Sequence, residues 1–169
     1  MSIAPSEFEE AYQDEKDVRD AITNGPIRLL EPATPICVQP AASVRKAIEA
    51  MNDAHAGCVL VTEGQRLLGI LTERDILKKV VGKLDLDQPV RSVMTSDPET
   101  VGMDDAIAYA LHKMHVGGYR HIPVVDRAGC PVGLVSVRDF VEFIVSILPA
   151  SALNVPPESR LEAHELDGG

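Results

Sequence analysis

The sequence predicts an α/β (α+β) fold made of two pseudo-symmetric β-α-β-β-α repeats packed face to face through their sheets. Three observations carry this. The chain repeats itself in register, which is the first thing to seek in a sequence. Each copy runs from a helix-spaced apolar pattern into two short apolar strands and a further helix. A unit of about 60 residues is too small to cover both faces of such a sheet, whereas two units can cover each other. Val38, Val44, Ile48 and Met51 recur as Val101, Ile107, Leu111 and Met114 at an offset of 63. Val61, Gly69, Arg74 and Asp75 recur as Val125, Gly133, Arg138 and Asp139 at an offset of 64, so a single inserted residue separates the two registers.

The elements follow in chain order. Residues 1–27 form an N-terminal extension. Phe8, Ala11, Tyr12, Glu15, Val18, Arg19 and Ile22 are spaced as an amphipathic helix that ends at Gly25-Pro26. Its apolar stripe needs a surface: its own module, a dimer mate or an effector protein. Residues 28–83 form the first repeat. Ile36 and Val38 mark a strand, and Val44, Ala47, Ile48 and Met51 a helix face with Ser43 suited to its N-cap. Strands 58–61 and 67–71 flank the turn Glu63-Gly64-Gln65, and a second helix begins at Thr72. Residues 84–92 are the linker. Residues 93–148 form the second repeat, with a strand at Thr100 and Val101 and a helix face at Ile107, Ala110, Leu111 and Met114. Asp104 or Asp105 is expected to cap that helix. Strands 122–125 and 132–135 then flank Asp126-Arg127-Ala128-Gly129, and a last helix begins at Ser136. Residues 149–169 are expected to form a mobile acidic tail, in which Leu153, Val155 and Leu161 offer some apolar contact.

Composition narrows the function classes. The chain has 169 residues, 45% hydrophobic and 25% charged, as ordinary globular proteins do. The net charge of −10 sits mostly at the ends, at −5 over residues 1–27 and −3 over 149–169, leaving −2 for the middle. Such a chain has no basic field to draw nucleic acid or an anionic membrane. Three Phe, three Tyr and no Trp give little to stack on bases. No apolar run reaches the roughly 20 residues of a membrane span, and the N-terminus has no basic start or apolar core of a signal peptide. Cys37, Cys58 and Cys130 match no disulfide or zinc spacing. The expected home is a reducing cytoplasm.

The chemistry that the residues support sits at two corners, where Thr72-Glu73-Arg74-Asp75 and Ser136-Val137-Arg138-Asp139 carry a strand into a helix. A hydroxyl with an acid three residues on is a capping-box variant, which helps a helix by about 1 kcal/mol. The same corner offers amides and a hydroxyl to a phosphate at a helix N-terminus, and the aspartate could hold a ribose diol. Gly69 and Gly133, just before the corners, leave room for a ligand beside the strand.

These segments, Gly69-Ile70-Leu71-Thr72-Glu73-Arg74-Asp75 and Ile122-Pro123-Val124-Val125-Asp126 through Gly133-Leu134-Val135-Ser136-Val137-Arg138-Asp139, resemble a tandem cystathionine-β-synthase (CBS) domain pair, or Bateman module. The resemblance covers roughly residues 28–148. It implies two pseudo-symmetric clefts between the repeats that bind AMP, ADP, ATP or another adenosyl ligand, and no catalysis by the module itself. It implies phosphate contacts from Thr72 and Ser136 and ribose contacts from Asp75 and Asp139. Ile36, Val38, Thr100 and Val101 would line the adenine end, with Cys58, Ile122 and Pro123 on the strands beside them.

The repeats are unequally equipped. Ahead of its core strand the second has Tyr119-Arg120-His121, where basic residues of nucleotide-binding relatives reach phosphates; Arg120 brings a fixed charge and His121 a switchable one. The first has the uncharged Ala56-Gly57-Cys58 there, and Thr62 where the family has Asp. One anion site is therefore better supported than two. His112 and His115 share a helix face but lack a third metal ligand. The sequence thus points to a non-catalytic regulatory module that needs no cofactor, takes an adenine nucleotide (AMP, ADP or ATP) as regulatory ligand, forms a homodimer and signals to an effector protein. The alternatives are a ligand-free dimerisation or interaction module, an S-adenosylmethionine or NAD(H) sensor, and, least supported, an enzyme acting on a nucleotide.

Overall fold

The repeat pattern becomes two small sheets, each flanked by its own helices, in the computed structural model, which describes residues 16–148. The expected helix at Phe8, Ala11, Tyr12 and Glu15 and the tail 149–169 lie outside the described residues. Residues 16–24 are helical (α1) and stop at Gly25, whose N–H donates to the Ala21 carbonyl at 3.0 Å. Ile22 of α1 packs on the core of the second repeat.

In the first repeat β1 (Cys37–Val38) pairs parallel with β2 (Cys58–Glu63), and β2 pairs antiparallel with β3 (Arg66–Thr72). Helix α2 (Val44–Asp53) lies between β1 and β2; the Ser43 hydroxyl accepts from the Lys46 N–H at 3.3 Å and caps it, as its sequence suggests. Val44, Ala47 and Met51 bury its apolar face against Val59, Val61 and Leu71 of the sheet. Helix α3 starts as Glu73–Asp75 and widens into a π-helical turn at Ile76–Val80, where the Val81 N–H reaches back five residues to the Ile76 carbonyl.

The second repeat matches. Val101 bridges parallel to Val124 in the place of β1, and β5 (His121–Val125) pairs antiparallel with β6 (Pro131–Ser136). Helices α4 (Ile107–Gly117) and α5 (Val137–Ile147) cover it. Neither Asp104 nor Asp105 caps α4, contrary to the sequence expectation. The N-cap is Ala106, and Asp105 instead accepts the Gly102 N–H at 2.7 Å, closing the turn ahead of the helix. The first helical amide, Ile107 N–H, is satisfied at 2.8 Å by the Gly25 carbonyl of a distant segment.

That contact is part of an exchange between repeats. The chain entering the first repeat runs through the second: Ile27 and Leu30 are buried among Ile107, Ala110, Ile122 and Phe140, and Ala33 bridges Leu134 at the edge of β6. In return β4 (Thr95–Ser96), which leads into the second repeat, hydrogen-bonds to β3 of the first. The linker is packed rather than loose, since Val90 and Val93 are buried in the first core and the Val44 N–H donates to the Gln88 carbonyl. Between the sheets, Leu134 rests on Cys58, Leu60 and Ile70, the face-to-face contact that the repeat length requires.

Gly69 and Gly133 serve this crossing, and neither is among the residues lining the two clefts described below. A Cβ on Gly133 would lie 2.7 Å from Pro32 Cβ, and one on Gly69 2.9 Å from the Thr95 carbonyl oxygen. The room read as space for a ligand is filled by the exchanged strands. Gly133→Ala is therefore expected to cost about 1–3 kcal/mol through overpacking. Ile27→Ala should cost about 2–5 kcal/mol, with faster amide exchange in the distant β5–β6 pair as well as at residue 27. Urea unfolding and hydrogen exchange check both.

Candidate functional site

The Thr72 corner is built by its own backbone. Thr72 ends β3 in an extended conformation, and the Asp75 N–H donates to its hydroxyl at 3.2 Å. The Thr72 N–H and hydroxyl both donate to Asp75 Oδ2, at 3.0 and 2.8 Å. The other carboxylate oxygen, Oδ1, pairs with Lys79 Nζ one turn along at 2.7 Å and accepts from the Thr95 hydroxyl of β4 at 3.4 Å. Burial alone would raise the Asp75 carboxyl, but the hydrogen bonds from Lys79 and Thr72 outweigh it and hold its pKa below the usual carboxylate range. Asp75 is thus an oriented, ionised acceptor.

This corner faces the end of α4. Gly117, Gly118, Tyr119, Arg120 and His121 lie across a cavity of about 360 Å³ from Thr72, Glu73, Arg74 and Asp75, with Thr95, Asp97, Pro98 and Glu99 forming another wall. Gly118 adopts φ 66° to end the helix, a left-handed turn that favours glycine. Its carbonyl accepts from Arg74 Nη1 at 2.8 Å, so a side chain of the first repeat ties down the turn of the second. Gly57 provides the clearance beneath: a Cβ there would stand 3.2 Å from the His121 ring and 3.6 Å from Glu73 Oε2. Burial, reinforced by the charge of Arg120, pushes the His121 pKa below its ordinary value despite the opposing pull of Glu73 and Asp139.

Of the residues singled out from sequence, the fold brings Thr72, Asp75, Arg120 and His121 into this one cleft. Ser136 and Asp139 form the matching corner of the other repeat, where the Ser136 N–H and hydroxyl donate to Asp139 Oδ2 at 2.6 and 2.9 Å; they line neither this cleft nor a second one. That second cleft, about 500 Å³, holds Thr100 between the two hairpin ends, beside Arg66 and Cys130. Val101 and Ile122 are buried in the second core, and Pro123, also buried, accepts the Val101 N–H. Ile36 and Val38 pack on the first core. Cys58 is buried between the sheets, where desolvation and then the charge of Glu73 push its thiol up to about 12.

The cleft also contains Glu73, Arg74, Asp97 and Glu99, which sequence reasoning passed over. Glu73 and Arg74 stood inside the quoted corner motif, and the Gly117-Gly118 pair is a legible helix stop. Nothing in the sequence signals Asp97 and Glu99, since their place depends on the strand exchange.

A family model of the CBS domain matches residues 30–82 and again 90–146. The chain is 34% identical over 111 residues to an uncharacterized 17.7 kDa protein of Acidianus ambivalens, covering 65% of this chain and 67% of that one. It is 31% identical over 134 residues to the CBS domain-containing protein CBSCBSPB3 of Arabidopsis thaliana, covering 76% of this chain but only 22% of that relative's length. Among solved structures, the CBS domain protein PAE2072 of Pyrobaculum aerophilum, complexed with AMP, superposes with a TM-score of 0.66 at 28% identity over 72% of this chain and 97% of that one.

The depressed pKa of His121 fixes the sign of a pH effect. Where the unfolded chain takes up the proton and the folded one does not, stability decreases as the pH is lowered. Its contribution is fully present above the ordinary histidine range and is lost as pH drops through that range toward the folded value. His121→Asn should flatten this loss in thermal unfolding between about pH 7 and 5, and NMR titration should place the His121 midpoint below the ordinary histidine value.

Proposed function

The chain belongs to the CBS domain family, and on that footing we propose that it is a non-catalytic regulatory module that takes an adenosine-containing ligand, an adenine nucleotide first of all, in the Thr72–Asp75–Arg120–His121 cleft. The carrying observation is the convergence itself. A fixed carboxylate suited to a ribose diol and a guanidinium with an imidazole suited to phosphate come from opposite repeats and face one cavity. The AMP complex of the Pyrobaculum aerophilum protein, 28% identical to this chain, supports the ligand class.

A ligand held by both walls ties the repeats together. Arg74 is the direct route, because phosphate oxygens compete with the Gly118 carbonyl for its guanidinium. The change passed to a partner is limited to the difference in ligand affinity between the two arrangements. The exposed rows Leu77 and Val81 on α3, and Val141 and Val145 on α5, occupy equivalent positions of the two repeats. They support a homodimer in which both helices face a second copy, with an effector protein engaged by the same assembly.

AMP at about 100 times its dissociation constant should add about 2.7 kcal/mol, a rise of several degrees in Tm. Calorimetric affinity should fall about ten- to a hundredfold in Asp75→Ala and in Arg120→Ala, and hold in Asp139→Ala. Loss confined to Asp139→Ala would move the ligand to the other corner, and no binding at all would return the module to a pure interaction role. Sedimentation should show a dimer that Leu77→Glu with Val141→Glu converts to monomer.

A further inference from the structure

We infer that this cleft is a charge filter that accepts nucleoside monophosphates and rejects metal-free polyphosphates; the inference rests on the adenine-nucleotide reading above. Six ionisable side chains other than His121 and Tyr119 line the cavity: the acids Glu73, Asp75, Asp97 and Glu99 and the bases Arg74 and Arg120. Two of the acids have cations of their own, since Lys79 pairs with Asp75 and Lys113 with Glu99. Glu73 and Asp97 then stand against Arg74 and Arg120, and none of these four belongs to an ion pair among the described residues. His121 adds no charge of its own while burial keeps it neutral. The wall that faces a phosphate is therefore balanced, not basic.

A monophosphate brings about 1.5–2 negative charges at neutral pH. Arg120, helped by proton uptake on His121 and by Arg74 once it leaves Gly118, can meet that much. Each further phosphoryl group adds anionic oxygens with no cation left to meet them. They come up against carboxylates instead: Glu73 Oε2 and the His121 ring both lie close to Gly57, and Asp97 and Glu99 form the adjoining wall. Like charges brought together in the cleft oppose binding, and most at low salt, because these side chains are exposed. A wholly basic cleft would rank ligands by phosphate number, whereas a balanced one reverses that order.

The test is calorimetric titration of the full chain with adenosine, AMP and ATP, in chelator and then with magnesium, for the native protein and for Glu73→Gln with Asp97→Asn. Both substitutions keep shape and remove charge. AMP should bind at least about tenfold more tightly than ATP in chelator. Magnesium, by neutralising the extra phosphates, should narrow the gap, as should the double variant, while adenosine binding is unaffected by magnesium. ATP binding as tightly as AMP in chelator overturns the filter and leaves the adenine-nucleotide reading standing. A gap that neither magnesium nor the variant narrows overturns it in favour of exclusion by size. Absence of binding by all three ligands overturns the adenine-nucleotide reading and the filter with it.

Discussion

Ala33 and Leu134 exchange two backbone hydrogen bonds, at 3.0 and 2.9 Å, and in the other direction Asp97 donates to the Leu68 carbonyl at 3.0 Å. Through these bonds each repeat completes its sheet with chain that belongs, by sequence order, to the other. The constraint behind them is coverage. A sheet of two or three short strands leaves an edge with unpaired amides and a face that its own helices do not reach. Crossing the chain closes the edges, and Leu134 against Cys58, Leu60 and Ile70 closes the faces. Bound this way, each repeat relies on the other to complete its sheet, and the cleft between them acquires walls from both.

The same crossing explains the polar architecture. β4 brings Thr95 to the Asp75 carboxylate and, just after it, Asp97 and Glu99 to the wall. Arg74 closes the opposite side by holding the Gly118 carbonyl. Asp75 is satisfied on both oxygens before any ligand arrives, so its geometry is fixed in advance. His121 is different: it is half buried, and burial with the neighbouring Arg120 charge holds its pKa below the ordinary histidine value.

Much of the fold was legible because it depends on local pattern. The 63- and 64-residue offsets, the helical spacing of Val44, Ala47 and Met51, and the hydroxyl–acid corners all report short-range rules of burial and capping, and the elements appear where those rules place them. Asp105 shows the limit. It has the composition of a cap, but the amide it would have served is taken by the Gly25 carbonyl, a competitor 82 residues earlier that no local rule contains. Gly69 and Gly133 show it again, since a glycine reports that something comes close without saying whether it is ligand or backbone.

The sequence alone determined that there are two copies of one supersecondary unit, and it singled out as candidates both hydroxyl–acid corners, Thr72 with Asp75 and Ser136 with Asp139, and the Arg120-His121 segment. Only the tertiary structure decided that the corner of the first repeat and the basic segment of the second share one cavity, and that Glu73, Asp97 and Glu99 stand in it. The physical reason is that side-chain type and spacing are written along the chain. Which walls face each other is set by a strand exchange driven by the burial of both sheets together, an energy that belongs to the pair and to neither repeat's sequence.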